Sequence, residues 1–457
     1  MAKYIRVVET CRDTKSRLSE MKKEIFREDI DEQENNLINI YEDMKYQIID
    51  GFGAAFTEAA TATLSKISPE KKEEVLQAYF DKEKGIGYNF CRAHIGSCDY
   101  CVSDYTYDDT KEDYKLENYS IERDRETIIP IIKEALEVAP DIKLYGSPWS
   151  PPAWMKTNES RIEGGKLKKE CYEVYAVYMA KFIEEYAKEG ITVWGVTVQN
   201  EAKAAQPWES CIYTAEEERE FVVKYLGPEL EKRGLGDVKI ICWDHNKERT
   251  VERAKVTYAG EGEKYFYGMG LHWYSGDHFK ALEIAHELYP EKKLISTENC
   301  TRQDLEAPWK SGERYAHSII GDMNHWVSAW TDWNLVLDEN TGPSHWREKQ
   351  IAMGEKGVWW YGNSPIMIDT RTEEISYGSA YYYMGHFSKY VMRGAKRIGS
   401  SAGNENLEVI AFENPDKTKV VVVLNRTDEE IAYTLHSKNQ IADFVIKEHS
   451  IQTLLYE

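Results

Sequence analysis

The chain has 457 residues, 42% of them hydrophobic, which is enough for a large buried core and excludes a disordered polymer. Its 58 basic residues face 79 acidic ones, and the formal charge of −21 repels phosphate backbones and anionic bilayers, so neither nucleic acid nor a membrane surface is expected as a partner. No apolar run approaches the roughly 20 residues that a membrane span requires.

The N-terminal stretch MAKYIRVVETCRDTKSRLSE is charged throughout and lacks the apolar core of a signal peptide, so a cytoplasmic address is expected. The eight cysteines (Cys11, Cys91, Cys98, Cys101, Cys171, Cys211, Cys242 and Cys300) are too scattered for a disulfide scaffold and read as reduced thiols. Residues 1–47 are irregular, with strands expected at Tyr4–Thr10 and Asn36–Tyr41, and are assigned to a side β-domain. A long rhythm then begins. Strand-like runs at Ile48–Phe56, Gly87–His94, Asp141–Ser147, Thr192–Gln199, Val238–Asp244, Tyr267–Tyr274, Lys293–Thr297 and Trp326–Leu337 alternate with helical stretches. Among the latter are SPEKKEEVLQAYF with a Ser cap, CYEVYAVYMAKFIEEYAKEG ending in Gly, and TAEEEREFVVKYLGPELEKRG with a Thr cap. Such alternation gives a parallel sheet covered by helices, and eight units favour a closed (β/α)8 TIM barrel over an open doubly wound sheet. The barrel is expected to span residues 48–388, longer than the roughly 250 typical of the fold, so long loops decorate it. Residues 389–457 carry short strand patterns broken by Asn, Asp and Gly, the mark of an antiparallel β-sandwich.

Two carboxylates stand out. Asn200 and Glu201 close the apolar run VTVQNEA, and Glu298 closes LISTENC 97 residues later. That separation is three βα units of about 32 residues, which puts the pair on strands four and seven of a barrel, at the ends where this fold carries its chemistry. Two carboxylates in one bowl suit glycoside hydrolysis. Spacing alone leaves two ordinary loop glutamates as an equal reading. Other strand ends add Arg92 and Asp99, Trp149 and Trp154, His272, Trp273 and Tyr274, and Asp332, Trp333 and Asn334. Aromatic faces stack on sugar rings, and only those beside candidate groups count toward that role.

The motifs DGFGAAFTEAA, GIGYNFCRAHIGSCDY, SPWSPPAWMKTN, VTVQNEA, LHWYSGDH, STENC, WTDWNLVLD and GHFSKY, in this order, closely resemble glycoside hydrolase family 30, and within it the glucosylceramidase branch. The resemblance implies a retaining β-glycosidase with Glu201 as acid/base and Glu298 as nucleophile. It also implies that Asn200 bonds the sugar 2-hydroxyl, that Asp99 and Trp149 hold the far side of the ring, that Trp333 walls the pocket, and that Arg92 and Tyr274 orient Glu298. A retaining pair stands about 5–5.5 Å apart, and the acid is expected to have a raised pKa. No metal and no organic cofactor is expected.

The chain departs from that branch in two places. Only Cys11 lies near the N-terminus, so the branch's N-terminal disulfides cannot form, and the loop GPSHWREKQIAMGEKGVWWYGNSP places Trp359 and Trp360 either at the entrance or in a packed loop. Rival signals are thin. GSSAG at Gly399–Gly403 lacks the strand–turn–helix context of a nucleophile elbow, and Cys98 and Cys101 have no second pair and read as free thiols rather than a zinc site. The expected activity is exo-type hydrolysis of β-glucosides or related β-glycosides such as β-xylosides, with a small glycoside or oligosaccharide as partner. The alternatives are an endo-β-1,6-glucanase and an inactive sugar-binding protein on the same fold.

Overall fold

The structure, a computed structural model, describes residues 4–353 and 362–457; Trp359 and Trp360 fall outside the described residues. Two long strands, β1 (Tyr4–Cys11) and β2 (Leu37–Ile48), with three two-residue strands between them, precede eight parallel strands that close into a barrel. These are β3 (Gly51–Phe56), β4 (Phe90–Ile95), β5 (Lys143–Pro148), β6 (Val193–Thr197), β7 (Lys239–Asn246), β8 (Phe266–His272), β9 (Lys293–Glu298) and β10 (Val327–Asn334). Each is covered by helices outside and by other strands within, so they read as almost unbroken apolar runs. Phe90, Tyr145, Ile241, Ile295 and Ala329 fill the centre.

The run expected as one strand over Trp326–Leu337 divides. After a register irregularity between Thr331 and Asn334, β10 ends, and Val336–Asp338 leaves the barrel to pair with Ile366–Asp369 in a separate three-stranded sheet. Among the helices, α1 (Pro69–Phe80) follows Ser68, whose hydroxyl does not cap it but donates to Glu373 at 2.6 Å. The helix α2 (Tyr172–Lys188) is followed by Gly190 in a left-handed conformation. For α3 (Ala215–Phe221), Thr214 and Glu217 form a reciprocal capping box. A π-helical turn, Val222–Leu226, then leads into Gly227–Lys232. Pro228 has no N–H to offer the preceding turn, and the wider turn absorbs that loss.

Six further strands follow the barrel: β11 (Lys396–Ala402), β12 (Leu407–Glu413), β13 (Lys419–Asn425), β14 (Ile431–Ser437), β15 (Gln440–Ile446) and β16 (Ser450–Tyr456). Strand β1 pairs antiparallel with β16, and β2 lies between β11 and β14. The β2–β14 join is parallel, so the sandwich is not wholly antiparallel. Strand β13, KVVVVLN, shows why four valines run together. Val420 and Val422 pack into the cluster shared with the barrel, while Val421 and Val423 point into the core of the sandwich. Ser401, in the serine-hydrolase-like GSSAG, lies within β11 and meets the Tyr41 hydroxyl at 3.2 Å. Between the two domains Arg393 donates to the carbonyls of Asp50, Asn89 and Asp141, at the starts of β3, β4 and β5. No helix among the described residues is long and apolar enough to cross a membrane.

Gly53 marks where the barrel tolerates no side chain, because a Cβ there would sit 2.0 Å from the Phe90 carbonyl oxygen of the neighbouring strand. Gly53→Ala is therefore expected to lower stability by about 3 kcal/mol or more, read from urea unfolding midpoints; a change under about 1 kcal/mol would contradict this packing.

Candidate active site

A cavity of about 400 Å³ opens at the C-terminal ends of the barrel strands, and Asp99, Trp149, Asn200, Glu201, Tyr274, Glu298 and Trp333 all line it. A wider hollow of about 930 Å³ belongs to the sandwich and lies away from these strand ends. Beneath the cavity floor is Arg92, at the middle of β4 and fully buried. Its guanidinium donates from Nε to Ser147 at 2.9 Å, from Nη1 to Glu298 Oε2 at 2.5 Å, and from Nη2 to Asn200 Oδ1 at 2.9 Å and Asp244 Oδ2 at 2.7 Å. The indoles of Trp149 and Trp333 stack on each other, centroids 5.1 Å apart, and their faces lie 4.7 and 5.4 Å from the Arg92 charge. Cation–π attraction in a dry site helps hold all three. The Tyr274 hydroxyl donates to the other Glu298 oxygen at 2.8 Å, so both carboxylate oxygens are fixed.

Glu201 sits on the opposite wall in a left-handed conformation, its N–H donating to the Asp244 carbonyl at 2.8 Å. Gln206 donates to its Oε2 at 3.1 Å, and His272 Nδ1 faces its Oε1 at 3.3 Å. The same His272 nitrogen lies 3.9 Å from Glu298, and His272 Nε2 is 3.0 Å from Asp244 Oδ1. Burial works against charge on Asp244, yet Arg92, His272 and Thr297 outweigh it and hold the carboxylate well below its ordinary pKa. Burial would likewise lower His272, but Glu298, Asp244 and Glu201 push it up to about 9. For Glu201 burial favours the neutral acid, and His245 and His272 beside it reverse that and hold it below the usual carboxylate range. This is the reverse of the raised pKa expected of an acid: in the resting site the two histidines beside Glu201 hold it below its ordinary value. Asp99 goes the other way, raised by burial and then by the neighbouring charges of Glu298 and Glu209.

The eight residues to which the resemblance gives roles gather here, seven on the cavity wall and Arg92 behind it, and His272 joins them between the two glutamates. Four strand-end residues do not join them. Trp154 is buried with its indole N–H on the Asp108 carbonyl, Trp273 packs on Tyr315 and Trp330, Asp332 accepts from Tyr315 in the interior, and Asn334 is buried and accepts from the Thr57 hydroxyl at 2.7 Å. Asp244 and His245 went unnoticed in the sequence. They follow a register shift in β7 where Trp243 and Asp244 both take positive φ, 69° and 47°. The signal was their position at the end of strand five, which, like strand one, carried no assigned group.

Residues 49–391 match the glycosyl hydrolase family 30 TIM-barrel domain, and residues 394–454 match the beta sandwich domain of the same family. The chain belongs to glycosyl hydrolase family 30. This family 30 chain is 33% identical to lysosomal acid glucosylceramidase of Mus musculus over 92% of its own length and 83% of that protein's. It is 26% identical to an endo-1,6-beta-D-glucanase of Neurospora crassa over 86% and 82%. Among solved structures it resembles SrfJ from Salmonella typhimurium, with a TM-score of 0.93, 33% identity and 99% of each chain covered. It also resembles an endo-beta1,6-glucanase structure, with a TM-score of 0.85, 27% identity and the same coverage. The chain is a glycoside hydrolase with a closed eight-stranded barrel and a β-sandwich.

Removing the charge of Arg92 leaves Asp244 and Glu298 buried without their shared cation. Arg92→Met is expected to cost about 3–5 kcal/mol in urea unfolding, and Arg92→Lys, which keeps the charge but not the planar fork, to recover part of that. Equal stability of Arg92→Met and the parent would remove Arg92 from the centre of the site.

Proposed function

We propose that this enzyme hydrolyses β-glycosides with retention, by double displacement, Glu298 attacking the anomeric carbon and Glu201 acting first as acid and then as base. The observation that carries this reading is that one nitrogen of His272 lies within 3.3 Å of Glu201 and 3.9 Å of Glu298. Two carboxylates gathered on one imidazole favour the short separation of a retaining pair, about 5–5.5 Å, over the wider one of an inverting pair. Arg92 and Tyr274 each hold one oxygen of Glu298 and so orient the nucleophile.

The acid role follows from the His272 contact. A sugar seated in the cavity expels water, and a dry site disfavours a separated imidazolium and carboxylate relative to their neutral forms. The proton then moves from His272 to Glu201, and from there to the departing glycosidic oxygen. Once Glu298 is a neutral ester, Glu201 takes a proton from the attacking water. In this reading Asn200 meets the 2-hydroxyl, Asp99 and Trp149 hold the far side of the ring, and Trp333 walls the pocket.

The glycone is a β-glucose or a close relative such as xylose. The cavity continues past Glu201 to Lys203, Gln206, Trp208 and Trp346, whose last two rings lie 4.8 Å apart. That aromatic mouth suits a second sugar and keeps endo-β-1,6-glucanase activity as the second reading, alongside the family relatives that bear that name.

Two experiments test the assignments, and a third the substrate. Glu298→Gly is expected to lose at least about 10³-fold in kcat, with added azide restoring cleavage and releasing a β-glycosyl azide; an α-azide would remove Glu298 as nucleophile. Glu201→Ala is expected to slow substrates with poor leaving groups by about 10²-fold or more beyond its effect on activated aryl glycosides, and an equal loss on both would end the acid role. Comparing kcat/KM for aryl β-glucoside, β-xyloside and gentio-oligosaccharides separates the exo reading from the endo one.

A further inference from the structure

Around Glu201 the structure gathers one ring nitrogen more than the proton relay of hydrolysis uses, and a metal ion there would take the place of the proton that His272 holds toward Glu201. His272 is oriented by its Nε2 contact with Asp244, which is itself held by Arg92 and Thr297, so Nδ1 is the nitrogen turned toward Glu201. His245, which rejoins the ladder of β7 opposite Leu271 after the register shift at Trp243 and Asp244, turns its own Nδ1 to the same Glu201 oxygen at 3.6 Å. That nitrogen is buried and has no hydrogen-bond partner among the described residues. Gln206 occupies Oε2 of Glu201 and leaves Oε1 facing the two rings. One oxygen and two ring nitrogens therefore converge within 4.8 Å of one another.

We propose that Glu201, His245 and His272 form a binding site for a divalent transition metal of the zinc class, and that the bound ion arrests turnover. Zinc takes imidazole nitrogen at about 2.0–2.1 Å and carboxylate oxygen at about 2.0–2.2 Å, which in a tetrahedron separates nitrogen from oxygen by about 3.4 Å. The two nitrogen–oxygen distances, 3.3 and 3.6 Å, bracket that value before any rearrangement. Three protein ligands with a fourth position open to water is a known zinc arrangement, and here Glu201 and His245 both line the cavity, from which water reaches the fourth position. The carboxylate behind His272 supplies the outer contact that fixes the ring and raises its basicity toward a metal. His94, Cys98 and Cys101 also lie within 4.8 Å of one another, but His94 Nε2 already accepts the Glu58 N–H at 3.2 Å, so its lone pair is engaged.

Binding follows from the donor geometry alone. Arrest of turnover rests on the proposed role of Glu201, because an ion on Oε1 takes the lone pair that must receive and release the proton. Chelator-stripped protein titrated with Zn²⁺ in a calorimeter, and with Co²⁺ followed by visible absorption, is expected to take up one equivalent at a four-coordinate site without sulfur-to-metal charge transfer. His245→Asn and Glu201→Gln, each checked for an unchanged melting temperature, are expected to weaken that binding by at least about tenfold. Cleavage of an aryl β-glycoside by the unaltered enzyme should fall in proportion to bound Zn²⁺ and return with a chelator. No saturable uptake, uptake that both variants leave unchanged, or charge-transfer absorption locating the ion at Cys98 and Cys101 would each overturn the site. Uptake that both variants weaken, with turnover unaffected, would uphold the site and overturn the arrest, and with it the acid role of Glu201.

Discussion

One buried guanidinium organises the end of this barrel. Arg92 joins Ser147, Asn200, Asp244 and Glu298, which stand at or just beyond the ends of β5, β6, β7 and β9, so a single planar fork ties five of the eight barrel strands to one another. Taking such a group out of water costs several kcal/mol, and only multiple charged and polar acceptors in good geometry offset that. Arginine suits the position because its donors are fixed in one plane and its face stacks on indoles; a lysine would supply charge without direction. The tryptophans that wall the cavity are thus also the lid over the charge that sets its chemistry.

Around that centre the charges alternate: Arg92, then Asp244 and Glu298, then His272, then Glu201. The two glutamates consequently differ although each is a carboxylate at a strand end. Glu298 faces a permanent cation and a phenol, and Glu201 faces the rings of His272 and His245. Two like groups are set to different tasks by what each one touches, which is how one fold runs acid and base chemistry in a single pocket.

Much of this was legible beforehand, for a physical reason. Parallel strands buried on both faces appear as solid apolar runs, and a polar residue terminating such a run has few places to go but the barrel mouth. Glu201, Glu298, Asn200 and Trp149 were visible on that ground. Asp244 and His245 were not, because the irregularity in β7 re-aims them through two left-handed residues that no local pattern announces; Trp243 in particular is a residue that rarely takes that conformation. Its N–H is secured by Glu218 from α3, a contact between elements that a reading along the chain does not reveal. The same blindness hid the partner of Ser68 and the parallel join of β2 to β14, each decided by a residue hundreds of positions away.

The pairing of β1 with β16 gives the molecule a calendar as well as a shape. The strand made among the first residues waits for one made among the last, and β2 waits for β11 and β14. At synthesis rates of roughly 5–20 residues per second, that wait is roughly twenty seconds to a minute and a half. Throughout it the barrel can close while Ile5, Val7, Ile38 and Ile40 lack the sheet that will cover them. The side domain is therefore completed only once β16 has been made, and a chain interrupted before that point carries Ile5, Val7, Ile38 and Ile40 uncovered at the end already made.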